Sequence, residues 1–268
     1  MIGAIAGDII GSVYEVRPTK RKDFEWFPPD ATFTDDTVLT VAVADALLGG
    51  GDYAQTIKAY AKRYPMRGYG GGFLRWVRSP GYEPYNSFGN GSAMRVSPVA
   101  CAFDSLDEVL HEARRTAECT HNHPEGIKGA EAVALAVFLA RQGQDREAIR
   151  QAVQDRCGYD LSRTVDEIRP VYSPDVTCQG SVPQALIAFL ASTSFEDAVR
   201  NAVSLGGDAD TQACIAGALA EACYKTIPRS ILAETRRRLA DPLWCTTLEF
   251  YRRYGTPEMA EQLEAAET

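Results

Sequence analysis

The amino-acid sequence predicts an all-α protein, and two observations support this fold class. Apolar residues recur at helical spacing through most of the chain, whereas the alternating pattern of a half-buried strand is nearly absent. With 45% hydrophobic and 24% charged residues, the composition is ordinary for a globular protein. The predicted helices cover residues 37–48, 54–63, 106–119, 126–141, 146–156, 182–191, 195–205, 210–226, 230–240 and 248–254.

The length and charge of the chain narrow the class of protein. At 268 residues, without a repeat or a clear linker, we expect one domain spanning residues 1–268. The net charge of −8 disfavours nonspecific binding to nucleic acid or to an anionic membrane. Seven cysteines without paired spacing predict neither a disulfide framework nor a zinc site. No signal peptide or membrane span is predicted, so we expect a cytoplasmic protein, and we expect a monomer.

The apolar opening segment, residues 1–16, carries two acidic residues. Gly7 and Gly11 lie four residues apart, a spacing that favours close helix packing. Asp8 interrupts the apolar run and is either part of an acidic site or a satisfied buried polar group. Glu15 precedes a basic segment, and on position alone it could be a solvated loop residue, because glutamate is mostly exposed.

Two later segments place carboxylates and a hydroxyl directly before an apolar helix. The residues concerned are Thr34, Asp35 and Asp36 in the first segment and Asp208, Asp210 and Thr211 in the second. Each group alone is typical of a helix N-terminus, since Asp and Thr cap helices and negative charge is favoured there. Two such groups invite a second interpretation, because carboxylates at the ends of buried helices need compensation for their charge.

Hard divalent cations would supply that compensation. Mg²⁺ and Mn²⁺ prefer carboxylate, hydroxyl and water oxygens, and a pair of ions ~3.5–4 Å apart would use this many ligands. Neighbours such as Asp35 and Asp36 do not share a face within a helix, but they can converge at a loop-to-helix junction. The sequence therefore predicts a binuclear Mg²⁺ or Mn²⁺ centre at the two helix starts, with plain capping as the alternative.

A glycine- and proline-rich stretch, residues 64–98, is predicted to be irregular. Its aromatic residues argue against disorder, and long ordered loops in compact domains are usually functional. Glycine-rich backbone can approach phosphate closely and donate N–H groups to it. The arginines of this stretch are Arg67, Arg75, Arg78 and Arg95. The combination is compatible with a phosphate-containing ligand.

Five motifs occur along the chain in the order typical of a known family. They are GDIIGSVYE from residue 7, TDDT from 34, SFGNGSAMR from 87, THNHPEGIKGA from 120 and SLGGDADT from 204. In this order they resemble the ADP-ribosyl glycohydrolases, which include the dinitrogenase-reductase-activating glycohydrolase and the animal ADP-ribosyl hydrolases. The resemblance covers about residues 1–225. It implies a compact all-α fold, two Mg²⁺ or Mn²⁺ ions and cleavage of the bond to C1 of the distal ribose.

The resemblance also implies roles for individual residues. The implied metal ligands are Thr34, Asp35, Asp36, Asp208, Asp210 and Thr211. Glu15 falls on an acidic residue that contacts a metal and gates the site in the serine-directed branch. The residues that would surround the diphosphate and adenosine are Gly70, Gly71, Gly72, Ser87, Phe88, Gly89, Asn90, Gly91 and His121. His121 and His123 could instead cap or pack locally, and of the two we expect only His121 to contact a ligand.

We therefore predict a metal-dependent hydrolase that releases ADP-ribose from a modified acceptor. Asp36 or Glu15 would act as the general base toward the attacking water. The acceptor could be serine, arginine, acetate or a nucleic-acid group, and the sequence does not choose between them. Two other functions stay open: a phosphoester hydrolase that uses the same carboxylates, and a non-catalytic relative that binds ADP-ribose. A serine nucleophile is not supported, because the chain has no nucleophile-elbow motif.

Overall fold

The computed structural model describes residues 1–266 as an array of packed helices. In chain order the helices are α1 (Ile2–Val16), α2 (Asp35–Gly49), α3 (Tyr53–Arg63), α4 (Gly71–Arg78), α5 (Gly91–Met94), α6 (Val99–Ala102), α7 (Leu106–Glu118), α8 (Pro124–Arg141), α9 (Arg146–Cys157), α10 (Val165–Ile168), α11 (Cys178–Leu190), α12 (Phe195–Val203), α13 (Ala209–Tyr224), α14 (Arg229–Arg238), α15 (Asp241–Tyr254) and α16 (Pro257–Ala265). Within the described residues, β pairing is confined to an isolated antiparallel bridge between Gly89 and Thr177. The predicted all-α class is confirmed.

Helices α1 and α13 pack antiparallel at the centre of the fold. A Cβ atom on Gly7 would lie 2.0 Å from the carbonyl oxygen of Ala213, and one on Gly11 would lie 2.4 Å from that of Ala209. Only glycine allows two helix backbones to approach this closely. The four-residue glycine spacing thus serves the close packing that the sequence indicated. The contact brings the last turn of α1, with Glu15, beside the first turn of α13.

Helix α1 is not among the helices predicted from the sequence. Its residues 2–11 are all buried. A helix that is apolar on every side lacks the one-sided pattern by which an amphipathic helix is recognised. Asp8 is the one charged residue in this buried run, and its presence is explained below by its hydrogen bonds.

The stretch predicted to be irregular, residues 64–98, contains two helices, α4 and α5. Gly70 is the N-cap residue of α4, and Gly71 and Gly72 form its first turn. The helix buries Phe73 and Trp76, three residues apart, against the core. The glycines that suggested a loop instead begin a short amphipathic helix.

Helix α13 is the most enclosed element of the fold, because residues 209–221 are all buried. It contacts α1, α8, α11 and α12, so its N-terminal residues are held from several sides. None of the helices in residues 1–266 has the length and apolar character that crossing a membrane requires.

Candidate active site

A cleft of about 290 Å³ opens where α1, α2 and α13 meet the 64–98 stretch. The predicted site residues that line it are Glu15, Asp35, Asp36, Gly70, Gly72, Ser87, Gly89, Asn90, Gly91, His121, Asp208, Asp210 and Thr211. Thr34, Gly71 and Phe88 are not among the lining residues. One wall of the cleft carries the carboxylates, which we call the acidic wall. The other wall contains most of the glycines and His121, and we call it the ligand wall.

Asp8 supports the acidic wall from behind. Its side chain is fully buried and accepts four hydrogen bonds, from the backbone N–H and the hydroxyl of both Thr34 and Thr37. The Thr34 hydroxyl lies 2.6 Å from Asp8 Oδ1. Burial raises the pKa of Asp8, although the four donors oppose that effect. Asp8 thereby fixes the first turn of α2, where the next carboxylates lie.

Asp36 and Asp210 lie at the centre of the acidic wall, and both are buried. One oxygen of each, together with one of Asp8, lies within 4.8 Å of the others. Asp36 Oδ2 accepts a 3.3 Å hydrogen bond from the Thr211 hydroxyl, which joins α13 to α2. Asp36 Oδ1 is buried and has no hydrogen-bond partner. Burial, reinforced by neighbouring carboxylates, raises the pKa of both Asp36 and Asp210 well above the usual range.

A second group of carboxylates shares Asp210 with the first. Oxygens of Glu15, Asp208 and Asp210 also lie within 4.8 Å of one another. Glu15 is exposed overall, but partial desolvation of its carboxylate beside the cleft raises its pKa, and the charge of Asp208 adds to the effect. The two groups together could hold metal ions, because clustered carboxylate oxygens are the ligands that hard divalent cations prefer.

The two helix starts differ in how they are capped. The Thr34 side chain caps α2 by accepting a 3.3 Å hydrogen bond from the backbone N–H of Asp36. Asp208 occupies the N-cap position of α13, but its side chain makes no capping hydrogen bond. Its Oδ2 instead accepts a 2.6 Å hydrogen bond from Asn90 Nδ2. Helix capping therefore accounts for the threonine at position 34. It does not account for the aspartate at position 208, whose side chain does not cap α13.

Asp35 lines the cleft but belongs to neither group of three. Its backbone N–H donates a 2.7 Å hydrogen bond to the carbonyl of Arg67. A Cβ atom on Gly68 would lie 3.0 Å from Asp35 Oδ1. Burial raises the pKa of Asp35 well above the usual range, and the charge of Asp8 raises it further. The turn at Arg67 and Gly68 thus covers one side of the carboxylate.

Glu15 projects from the last turn of α1 rather than from a loop. The basic segment that follows is anchored to the rest of the protein. Lys20 Nζ donates a 2.7 Å hydrogen bond to the carbonyl of Tyr172, and Lys22 forms a 2.5 Å ion pair with Asp197. Any gating by Glu15 would therefore start from its side chain or from a local opening of this segment.

The ligand wall is held by the segment before α11. The backbone N–H of Asn90 donates to the carbonyl of Val176 at 2.8 Å, and the N–H of Cys178 donates to the carbonyl of Phe88 at 2.9 Å. These bonds fix the loop of residues 87–91, which runs along the cleft. Phe88 is 46% exposed, and its ring centroid lies 5.3 Å from that of His123. The two rings form an aromatic shelf outside the cleft.

The two histidines have different surroundings. His121 is buried on the ligand wall, and its Nδ1 lies 2.7 Å from the hydroxyl of Thr120. Burial lowers the pKa of His121 well below its ordinary value, and the nearby Arg95 charge lowers it further. His123 caps α8, because its Nδ1 accepts a 3.1 Å hydrogen bond from the backbone N–H of Glu125.

Sequence reasoning did not assign several residues of the cleft to the site. These are Leu39, Gly68, Phe73, Tyr85, Met94, Arg95 and Val176. Arg95 was noted as one of four arginines, and nothing in its spacing separated it from the other three. The sequence alone does not decide between the two interpretations of Asp8. Asp8 stands out in the sequence as a lone carboxylate in an apolar run. That pattern is the same for a buried residue of a functional site and for a core residue whose hydrogen bonds are satisfied.

These features define a class: an all-α protein with an acidic wall that could hold metal ions, facing a glycine-rich wall. The sequence model of the ADP-ribosylglycohydrolase family matches residues 1–265. The chain belongs to the ADP-ribosylglycohydrolase family. The membership predicted from the five motifs is confirmed.

Individual relatives resemble the chain over most of its length. It is 29% identical to ADP-ribosylhydrolase ARH3 of Mus musculus, covering 86% of this chain and 84% of that protein. It is 27% identical to ADP-ribosylarginine hydrolase Tri1 of Pseudomonas putida, covering 84% and 69%. A solved structure described as an ADP-ribosylglycohydrolase-related protein complex superposes with a TM-score of 0.69 at 28% identity, covering 94% of this chain and 97% of that one.

Proposed function

We propose that this protein is a Mg²⁺- or Mn²⁺-dependent hydrolase that cleaves the glycosidic bond at C1 of the distal ribose and releases ADP-ribose. The observation that carries the proposal is the position of Asp210, whose carboxylate belongs to two groups of acids in one cleft. Family membership and the names of the relatives, ADP-ribosylhydrolase and ADP-ribosylarginine hydrolase, support the hydrolase class.

The acidic wall fits a pair of divalent cations. A buried carboxylate oxygen without a partner, such as Asp36 Oδ1, is unfavourable unless a cation or a donor faces it. The residues that would hold two ions are Thr34, Asp35, Asp36, Asp208, Asp210 and Thr211. Glu15 would complete the site at its exposed edge. When bound, the ions would neutralise the carboxylates, orient the ribose hydroxyls and make a water more acidic.

Two side chains are candidates for the proton transfer. Glycosidic cleavage breaks the bond from C1 to the acceptor through an oxocarbenium-like transition state, while a water oxygen bonds to C1 and the acceptor leaves with a proton. Asp36 or Glu15 would accept the proton of that water. The pKa of Glu15 is raised above its ordinary value, which makes its carboxylate a better proton acceptor, and its exposed position would let it exchange that proton with solvent.

The ligand wall would hold the rest of the substrate. Glycines 70–72 and the loop of residues 87–91 would let backbone N–H groups approach the diphosphate and the distal ribose. His121 would contact the diphosphate. The exposed ring of Phe88 would stack on the adenine, an interaction worth ~1–3 kcal/mol per base.

The acceptor stays open between serine, arginine, acetate and a nucleic-acid group. The relatives do not distinguish between these acceptors, because the chain is about equally similar to ARH3, at 29% identity, and to the arginine hydrolase Tri1, at 27% identity. A phosphoester hydrolase on the same carboxylates is the competing enzyme. A non-catalytic binder is less well supported, since such a protein typically loses acidic ligands and all of the predicted ones are present.

The test is hydrolysis of serine-, arginine- and nucleic-acid-linked ADP-ribose side by side, with Mg²⁺ and with a chelator. We expect free ADP-ribose from at least one substrate, only with metal, and none from the Asp210→Asn variant. Full activity in chelator would contradict the metal dependence. Free phosphate as the product would favour the phosphoester hydrolase, and ADP-ribose binding without turnover of any substrate would favour the non-catalytic relative.

A further inference from the structure

Arg95, Thr120 and His121 form a chain of buried hydrogen bonds behind the ligand wall. Arg95 Nη2 lies 2.7 Å from Thr120 Oγ1, which in turn lies 2.7 Å from His121 Nδ1. We propose that this relay holds His121 in the neutral form with its hydrogen on Nε2, which makes the ring a hydrogen-bond donor to the diphosphate of ADP-ribose. The identity of the ligand rests on the proposed function, whereas the position of the ring hydrogen does not.

The hydrogens of the relay can be assigned from donor chemistry. A guanidinium group only donates, so Thr120 Oγ1 accepts from Arg95. Among the hydrogen bonds of residues 1–266, Thr120 Oγ1 has one further partner, His121 Nδ1, so we assign the single hydroxyl hydrogen to that bond and leave Nδ1 as the unprotonated ring nitrogen. A hydroxyl that accepts from a cation becomes a stronger donor, which reinforces this direction. The ring hydrogen of a neutral His121 therefore lies on Nε2.

The free ring nitrogen faces the loop that would hold the diphosphate. A Cβ atom on Gly91 would lie 3.1 Å from His121 Nε2, and one on Gly89 would lie 3.7 Å from it. Within residues 1–266, Nε2 has no hydrogen-bond partner, and His121 lines the cleft. A donor with no protein partner at this position is available to a phosphate oxygen.

Arg95 supplies charge as well as geometry. Its side chain is fully buried, makes no ion pair with any described carboxylate, and leaves Nε and Nη1 without partners. Of the lining residues that the structure describes, it is the only lysine or arginine. A buried cation without a counter-ion is unfavourable, so an anionic ligand in the same cleft would stabilise it. Burial, and after it the same charge, lowers the pKa of His121 and so favours the neutral ring.

The relay is tested by ¹⁵N NMR of histidine-labelled protein without ligand. The chain has three histidines, so His111→Gln and His123→Gln assign the signals. Assignment matters because the Nδ1 of His123 also accepts a hydrogen bond. We expect His121 to carry its hydrogen on Nε2 alone. Thr120→Val should give a mixture of the two neutral forms, and Thr120→Ser should restore the single form.

Thr116→Val is the matched control. Thr116 is also a fully buried threonine of this region, but its hydroxyl donates to the carbonyl of Ala113 and not to the relay. The Thr116→Val variant should leave the His121 signals unchanged. ADP-ribose should shift the Nε2 signal, and Thr120→Val should bind ADP-ribose roughly tenfold more weakly, with the stabilisation by Mg²⁺ unchanged.

Each outcome bears on a separate part of the proposal. A wild-type His121 with its hydrogen on Nδ1, or with hydrogens on both nitrogens, would overturn the relay. Binding of ADP-ribose without any shift of the Nε2 signal would overturn the diphosphate contact. If the wild type binds no ADP-ribose and still shows the Nε2 hydrogen, the proposed function fails and the ligand assignment with it, while the relay stands.

Discussion

Asn90 Nδ2 lies 2.6 Å from Asp208 Oδ2, and this hydrogen bond joins the ligand wall to the acidic wall. The same amide nitrogen lies 3.1 Å from the Ser181 hydroxyl on α11. Asn90 therefore couples the position of the 87–91 loop to the orientation of a carboxylate that would bind metal. Binding of ADP-ribose at the ligand wall is therefore expected to change the metal affinity of the acidic wall, and metal binding is expected to change the affinity for ADP-ribose.

Replacing Asn90 tests this coupling. Asn90→Ala should lower the affinity for ADP-ribose and the affinity for Mg²⁺, each by roughly tenfold or more. The reason is that a hydrogen bond to a charged group is worth ~1.5–3 kcal/mol. Calorimetric titration with each ligand measures the two effects. Ser181→Ala is the control, since it removes only the neutral partner of the same amide and should change either affinity much less. An effect on one ligand alone would argue against coupling.

The carboxylates of the acidic wall should destabilise the protein when no cation is bound. Asp36→Asn and Asp210→Asn should abolish turnover, yet in chelator each should melt at or above the wild-type temperature, because one of several close like charges is removed. Thermal melting with and without Mg²⁺ measures this. Adding Mg²⁺ should stabilise the wild type more than either variant. Normal turnover by both variants would show that these carboxylates take no part in catalysis.

Glu15 is the candidate base that can be replaced with least disturbance of the core, because it is exposed at the end of α1. Glu15→Ala should lower kcat strongly, while affinity for ADP-ribose stays similar or rises, since a negative group beside Asp208 is removed. Steady-state kinetics and product titration measure the two quantities. Glu147→Gln, on the surface of α9, is the control. A near-normal kcat would leave Asp36 as the remaining candidate.

The lowered pKa of His121 predicts a specific pH dependence of stability. Below about pH 6.5, the ordinary histidine pKa, the unfolded chain binds a proton that the folded protein resists. Stability is therefore fully present above that pH and falls as pH decreases toward the folded-state pKa, with a limiting slope of roughly 1.4 kcal/mol per pH unit. Urea unfolding of the wild type and His121→Gln between pH 7 and 5 should show a smaller slope in the variant. The exposed His111→Gln should keep the wild-type slope.

The close contact of α1 and α13 predicts a large difference between two Gly→Ala substitutions. Gly7→Ala should lower the free energy of unfolding by at least ~2–3 kcal/mol, because the new Cβ would lie 2.0 Å from a backbone oxygen. Gly49→Ala, at the end of α2 with nothing within 4 Å, should be neutral or stabilising by up to ~1 kcal/mol. Denaturant unfolding measures both. Equal effects would mean that the two helices can separate at little cost.

Much of the fold was readable from the sequence. The helices outside the predicted set are α1, α4, α5, α6, α10 and α16, and the failures at α1 and α4 share a cause. The periodic patterns located the amphipathic helices, such as α3 and α7, because a solvent-facing side makes the spacing visible. They missed α1, which is buried on all sides, and α4, whose first residues are glycines. In both cases the segment becomes a helix because of what packs against it, and local sequence does not show this.

The sequence by itself determined the family and the candidate carboxylates, since the five motifs and their order are properties of the chain alone. Only the tertiary structure decided which acids meet. It brought Asp8 and Asp210 together, 202 positions apart, through contacts of α1 glycines with α13, a partner helix that the glycine spacing alone does not identify. It also set Arg95 behind His121 and left the other three arginines outside the cleft lining. Charge and hydrogen bonding depend on distance in space, and that distance is fixed only when the helices pack.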